Sequence, residues 1–211
     1  CSFLLAIGIE ESKGASIVLT IATKNEFALR FATKEDFPRI DEITITCYQA
    51  IYDSWVAMHG KELHFHLNDP KEDWEAKKTK QNHDLFAKHP EWVWVLEKDA
   101  VIIGFVTFLL KRDKSIGIIE NNVVLPEFAG KGLGKFMYRS VLQYFREQNI
   151  KYAHVETGLD SPHGPARKAY EGVGLQTVTG ILDKLGLPLD SDLKDYIGPY
   201  IPRSIYRSMR L

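Results

Sequence analysis

Residues 122–145 read NVVLPEFAGKGLGKFMYRSVLQYF. The segment begins as an apolar strand. It ends as a helix whose Leu133, Phe136, Met137, Val141, Tyr144 and Phe145 share one face. Between the two lies Gly130-Lys131-Gly132-Leu133-Gly134-Lys135. A helix N-terminus carries unpaired backbone N–H groups and a partial positive charge, so a phosphate aimed at it meets an anion site before any side chain contributes. Glycines let the backbone approach phosphate oxygens through dihedrals that other residues avoid. Lys131, Lys135 and Arg139 add attraction. The turn therefore predicts a cradle for a diphosphate, set against the plainer reading of a tight turn with solvated lysines.

Three familiar phosphate loops fit poorly. A P-loop requires Gly and Gly-Lys-Ser/Thr at fixed separation, but Gly130 and Gly134 are one residue too close and Phe136 stands where a hydroxyl belongs. A dinucleotide fingerprint lacks its third glycine after Gly132 and Gly134. A kinase glycine loop sits in a hairpin, not between strand and helix.

The surrounding pattern predicts a strand at Phe27–Ala32 and a helix opened by Thr33-Lys34-Glu35-Asp36, with Ile40, Ile43, Cys47, Ala50 and Ile51 inward. A second, shorter helix is expected from Trp55 towards Leu67. Asp69-Pro70 predicts the start of another that ends at His89-Pro90. Trp92–Leu96 and Val101–Leu110 form a hairpin. Ile116–Val124, Tyr152–Thr157, Leu175–Thr179 and Ser204–Met209 are further strands. A helix opens at Pro165, and a short one is expected at Ser191–Tyr196. A strand at Ser16–Ile21 is less regular. The fold class is α/β (α+β), with a mixed central sheet of about six to seven strands and helices on both faces. Residues 1–25 are expected to be an N-terminal extension and 26–211 the single domain.

Composition narrows the function. The formal net charge of −1 gives no reason to expect nucleic acid or an acidic membrane as partner. Phe3–Ile7 is too short to span a bilayer. The two cysteines, Cys1 and Cys47, build neither a disulfide framework nor a zinc site, and a reducing, cytoplasmic setting is expected. Cys1-Ser2 resembles a processed lipoprotein end, on one residue pair alone. His59, His64 and His66 cluster without a matching carboxylate pattern, so no metal is expected. Lys71, Lys77, Lys78 and Lys80 around Trp74 are neutralised by Glu72, Asp73, Glu75 and Asp84, and read as a solvated helix face. Trp92 and Trp94 are expected on one side of a strand, against the core or a second copy of the chain, which leaves a homodimer open.

The glycine turn resembles the GNAT superfamily of acyl-CoA-dependent N-acyltransferases, whose strand ends in an apolar residue before [Q/R]-x-x-G-x-[G/A] and a helix. Here the stretch is Val124-Leu125-Pro126-Glu127-Phe128-Ala129-Gly130-Lys131-Gly132-Leu133-Gly134. The family's downstream N-x-x-A-x-x-F-Y-x-K-x-G-F is echoed by His163-Gly164-Pro165-Ala166-Arg167-Lys168-Ala169-Tyr170-Glu171-Gly172-Val173-Gly174-Leu175. Ala129, His163 and Leu175 depart from the usual Gln/Arg, Asn and Phe.

The resemblance implies acetyl-CoA as co-substrate, lying between splayed parallel strands at 116–124 and 152–157. Asn122, Val123 and Val124 would pair with the pantetheine arm through their backbones, the Val124 N–H polarising the thioester. Ala129, Gly130, Lys131, Gly132, Leu133, Gly134 and Lys135 would hold the diphosphate, and His163 and Ala166 would lie along the arm. Tyr170 falls in the family's general-acid position. Glu120 is the candidate base, with a salt-bridging or acceptor-binding carboxylate as its plainer role. His154 is a further candidate for acceptor binding. The implied activity is N-acetyl transfer to a primary amine of a small molecule or peptide by direct attack in a ternary complex, with residues 33–90 shaping the acceptor pocket. The alternative is a non-catalytic acyl-CoA-binding sensor on the same fold.

Overall fold

The computed structural model describes residues 19–60, 73–158, 160–177 and 204–211. Among them, eight strands form one sheet: β1 (Thr20–Lys24), β2 (Phe27–Phe31), β3 (Val93–Lys98), β4 (Val101–Lys111), β5 (Ile116–Val124), β6 (Tyr152–Gly158), β7 (Gln176–Thr177) and β8 (Ser204–Arg210). Their spatial order is β1-β2-β3-β4-β5-β6-β8-β7. Every pairing is antiparallel except β5 with β6. One strand beyond the expected range comes from Thr20–Lys24, which lies in the segment read as an extension and pairs with β2. The β3–β4 turn places Asp99 and Ala100 at positive φ, the twist a two-residue hairpin needs.

Among the described residues, four α-helices accompany the sheet: α1 (Phe37–His59), α2 (Trp74–Lys88), α3 (Leu133–Glu147) and α4 (Gly164–Glu171). Two boundaries correct the sequence reading. Trp55–His59 continues α1 and does not start a second helix; no glycine or proline interrupts the run after Pro38, and Gly60 ends it at φ 73°. The cap of α2 is Asp73, whose carboxylate accepts from the amides of Glu75 (3.0 Å) and Ala76 (3.2 Å). Asp69-Pro70, His64, His66 and the helix expected at Ser191–Tyr196 lie outside the described residues, as do the first 18 residues.

The start of α1 is tied to the sheet. Thr33 N–H donates to the Asp36 carboxylate (2.7 Å), which also receives both terminal nitrogens of buried Arg30 (2.7 and 3.0 Å). Burial opposes ionisation of Asp36, but these bonds hold its carboxyl below the ordinary value. Arg30 Nε reaches Glu97 (2.8 Å).

The two faces of the sheet are distinguished by neighbouring residues of β5. Asn121 meets Tyr48 of α1 and Asn82 of α2, whereas Asn122 meets Tyr138 of α3 and Tyr170 of α4. Successive strand residues point to opposite faces, so α1 and α2 cover one side and α3 and α4 the other. On the α3 side, Trp94 stands edge-on to Phe108 (4.9 Å between ring centroids) and Tyr144 (5.4 Å). Trp92 does not share that strand, contrary to expectation. It closes a 3-10 turn at Pro90–Trp92 and stacks on His89 at 3.7 Å.

Candidate active site

The parallel strands pair from Ile116–Tyr152 to Ile119–Val155 and then part. β5 runs on to Val124 and β6 to Gly158 without facing each other. A parallel pair that opens at its carboxyl ends exposes backbone groups on a strand edge, which is where ligands enter sheets of this kind. The amide of Leu125 donates to Ile103 of β4 (2.9 Å). Amides alternate in direction along a strand, so that of Val124 points away from β4, into the split.

A β-bulge sets which residues line the split. Asn122 pairs with Val106 and Ile119 with Phe108, so β5 spends three steps where β4 spends two. The parity of the strand reverses there. Gly117 lies so close beneath Phe145 of α3 that a Cβ would sit 2.4 Å from its ring, yet Asn121 faces α1 and α2. The hydroxyl of buried Thr107 stands in for the missing ladder partner. It accepts from Asn121 N–H (3.0 Å) and lies 3.2 Å from Asn121 O, to which it donates.

On the α3 side, Tyr138 donates its hydroxyl to Asn122 Oδ1. Asn122 Nδ2 donates to the Tyr170 oxygen (2.8 Å) and to Glu120 O (3.0 Å). The two tyrosine rings stack 4.6 Å apart and both are buried. Desolvation, reinforced by Tyr170, raises the Tyr138 phenol well above its usual pKa.

On the α1 side, Asn121 Oδ1 receives Tyr48 OH (3.0 Å) and Lys78 Nζ (3.0 Å), while Asn121 Nδ2 donates to Asn82 (2.9 Å). Lys78 also lies over the Tyr48 ring, 4.7 Å from its centroid. Burial lowers the Lys78 pKa, and nearby Glu120 partly restores it. Glu120 opens to solvent at the mouth of the split, but desolvation by the protein around it raises its carboxyl pKa. Lys78 and Lys111 pull that value down and Glu156 adds to the rise.

The glycine turn leads into the N-terminus of α3. Pro126–Phe128 forms a 3-10 turn, Ala129 is extended, and Gly130 and Gly132 take φ of 78° and 71°. The first amide to close a bond in the helix is Phe136, onto Gly132 O (3.1 Å), so those of Leu133, Gly134 and Lys135 belong to the exposed start. Leu133 anchors that start in the core. The cations are arranged differently from the sequence picture. Lys131 Nζ leans on the rings of Phe128 (5.2 Å) and Phe27 (5.9 Å). Lys135 lies against Gly172, where a Cβ would come within 2.3 Å of its Cε. Lys24, from β1, donates to Lys131 O (2.6 Å) and enters the same neighbourhood.

A sequence model described as the acetyltransferase (GNAT) family matches residues 48–175, more than half of the chain. The chain belongs to the GNAT acetyltransferase family. Over 79 residues it is 34% identical to an uncharacterized N-acetyltransferase of Archaeoglobus fulgidus, a match covering 35% of this chain and 54% of that protein. The chain thus spans about half the length of that curated relative. Among solved structures, the ribosomal L7/L12 alpha-N-protein acetyltransferase RimL superposes with a TM-score of 0.60 at 11% identity, over 97% of this chain and all of that one. Spermidine N-acetyltransferase from Vibrio cholerae, in complex with CoA and spermine, gives 0.55 at 15% identity, over 89% and 96%. These two are likenesses of fold.

Within the GNAT frame, the sequence had singled out Glu120, Tyr170, the glycine turn and the strand 122–124. Tyr170 and the backbone oxygen of Glu120 meet at the Asn122 amide, the Glu120 carboxyl interacts with Lys78, Lys111 and Glu156, and the glycine turn follows β5. His163 caps α4, and its Nδ1 pairs with Asp160. Asp160 also accepts from Trp55 Nε1 of α1 (2.7 Å), so the loop after β6 is latched to the far wall. Ala166 packs partly against the core. His154 lies where β5 and β6 still pair, below the split, and burial lowers its pKa. Among the described residues, no group of three His, Cys, Asp or Glu side chains stands where it could hold a metal ion, and no helix is long and apolar enough to cross a membrane.

Thr107, Tyr138, Tyr48, Asn121 and Lys24 escaped the sequence reading, and Lys78, read as part of a solvated helix face, instead turns inward to Asn121. One signal was present: Glu120-Asn121-Asn122 interrupts an otherwise apolar strand, and such a polar run requires partners on both faces.

Proposed function

We propose that this chain is an N-acetyltransferase that moves an acetyl group from acetyl-CoA to a primary amine of a small molecule or peptide. The observation that carries the reading is the split between β5 and β6, edged by Asn122–Val124 and closed at one side by Tyr170. The residues present suit acetyl-CoA. The outward amide of Val124 supplies a donor for the thioester carbonyl oxygen, in a place where added charge develops. The amides at the start of α3, freed by the left-handed Gly130 and Gly132, suit a diphosphate. Open space surrounds Gly130 within 4 Å of where a Cβ would stand.

An alkylammonium has a pKa of about 10, so it must first lose a proton. Glu120 takes that proton through water. The neutral nitrogen then attacks the carbonyl carbon; the N–C bond forms, the C–S bond breaks, and sulfur leaves with the electron pair. Tyr170 gives its proton to the thiolate and regains one from solvent. The nitrogen's second proton leaves by the Glu120 route, and one proton is released overall. Cys47 takes no part; burial, helped by Glu127, pushes its thiol up to about 11 and keeps it protonated. A cytoplasmic location belongs to the same reading, because the acyl-CoA pool is intracellular.

Calorimetry with acetyl-CoA, followed by thiol release across a panel of peptides and polyamines, tests this. Binding with amine-dependent release is expected. Binding without release would replace the enzyme by a sensor, and absence of binding would remove both.

The base assignment has its own pH signature. Glu120 acts only when ionised, so kcat/KM rises with pH as its carboxyl loses its proton. Its raised pKa puts that rise above the ordinary carboxylate range. Lys78→Met removes an opposite charge, favours the protonated carboxyl and moves the rise to higher pH. A profile that stays put, or shifts to lower pH, would exclude Glu120 as the titrating group.

A further inference from the structure

The glycine turn is gripped from outside by a residue far from it in sequence. Lys24, at the end of β1, donates from Nζ to Lys131 O at 2.6 Å. The grip acts on one peptide plane. That peptide is trans, so the Gly132 N–H points opposite to the Lys131 carbonyl. Drawing the oxygen towards Lys24 turns the Gly132 N–H away from it.

That N–H belongs to a set. Gly132 is left-handed (φ 71°, ψ 22°) and Leu133 begins α3. A left-handed residue beside a right-handed one makes successive amides converge into a concavity that suits an anion. Here the amides are those of Gly132, Leu133 and Gly134. Among the described residues, none of the three has a backbone acceptor. The first of them sits on the peptide that Lys24 holds.

The β1–β2 hairpin keeps Lys24 in place. Lys24 pairs with Phe27 across a two-residue turn, with Asn25 at φ 53°. Buried Phe27 meets Phe128 edge-on, 6.4 Å between ring centroids, so the hairpin packs on the 3-10 turn that opens the glycine segment. The turn's own lysines lean elsewhere, Lys131 on Phe128 and Lys135 beside Gly172. Among the described residues, no carboxylate forms an ion pair with Lys24.

We propose that Lys24 is a positioning residue for the diphosphate of acyl-CoA. Its bond to Lys131 O sets the peptide so that the Gly132 N–H completes the amide concavity, and its charge adds attraction at the same turn. This rests on the acyl-CoA reading proposed above. It gives β1, from the segment read along the sequence as an extension, a share in the site.

Calorimetry with two ligands tests it: acetyl-CoA, and acetyl-pantetheine, which carries the thioester and arm without the diphosphate. Lys24→Met keeps the length of the side chain but removes donor and charge. It should weaken acetyl-CoA about tenfold, the size of one hydrogen bond to a charged group. Acetyl-pantetheine should bind this variant within about twofold of wild type. Lys24→Arg keeps a charged donor and should hold acetyl-CoA within about threefold. Lys24 is only half-buried, so neither variant empties the core.

Wild-type affinity for acetyl-CoA in Lys24→Met overturns the proposal. An equal loss with acetyl-pantetheine also overturns it, since a merely structural role would loosen the whole split. So does a loss in Lys24→Arg as large as that in Lys24→Met. The acyl-CoA reading fails separately, if the wild-type protein itself binds no acetyl-CoA, and this inference then falls with it.

Discussion

Tyr170→Phe is expected to lower kcat by about 10²- to 10³-fold, within the range a positioned general acid supplies. Acetyl-CoA affinity should change by less than about threefold, because the substitution leaves ring, stack and strand edge in place. The fold should tolerate the change: the Tyr170 ring is buried against Tyr138, and phenylalanine keeps that contact. The loss should fall on the collapse step, where sulfur leaves with its electron pair. A thioester with a more acidic thiol leaving group needs less help from an acid, so the deficit should shrink with such a substrate. Steady-state kinetics with acetyl-CoA and an activated acyl thioester checks both points. An unchanged kcat with acetyl-CoA would remove Tyr170 from the chemistry.

Thr107→Val should destabilise the protein by about 2–6 kcal/mol, because the buried N–H and C=O of Asn121 would each lose a partner worth about 1–3 kcal/mol. Valine fits the space, so sterics do not enter. Thr107→Ser keeps the hydroxyl and removes one buried methyl, which costs about 1 kcal/mol. Urea midpoints of the three proteins give the comparison directly. Activity follows the same order. If the valine variant escapes the penalty by erasing the bulge, a one-residue slip carries Asn122 to the α1 face and separates it from Tyr170. Equal midpoints for the valine and serine variants would show that the hydroxyl does not hold the bulge.

These two residues mark the limit of what could be read along the chain. Tyr170 was accessible because Pro165, Ala166 and Gly172 frame it in a local pattern that survives in one dimension. Thr107 was not. A threonine in an apolar strand looks like any β-branched residue, and only the register of β4 against β5 shows that its hydroxyl replaces a backbone partner. Tyr138 fits the amphipathic face of α3 as a core aromatic. Its hydroxyl becomes meaningful once Asn122 is placed beneath it. Lys78 reads as one lysine among several on a charged helix, yet α2 packs so that this one turns inward to Asn121. The helix start read at Trp55 went wrong because a local start signal was weighed over the absence of a break, and the start of α2 because Asp73, extended and capping the helix, was passed over for an earlier signal.

Local order along the chain determined the elements, the sheet's mixed character and the glycine turn. Hydrophobic period, capping residues and glycine dihedrals are short-range effects, complete within a few residues of sequence. Tertiary structure alone decided where the parallel pair opens, which way β5 turns its side chains past the bulge, and which buried hydroxyls meet. Those outcomes depend on contacts such as Tyr48–Asn121 and Asn122–Tyr170, between residues far apart in the chain. No local pattern encodes such meetings, because a buried polar atom takes its partner from whatever the packing brings within hydrogen-bond reach.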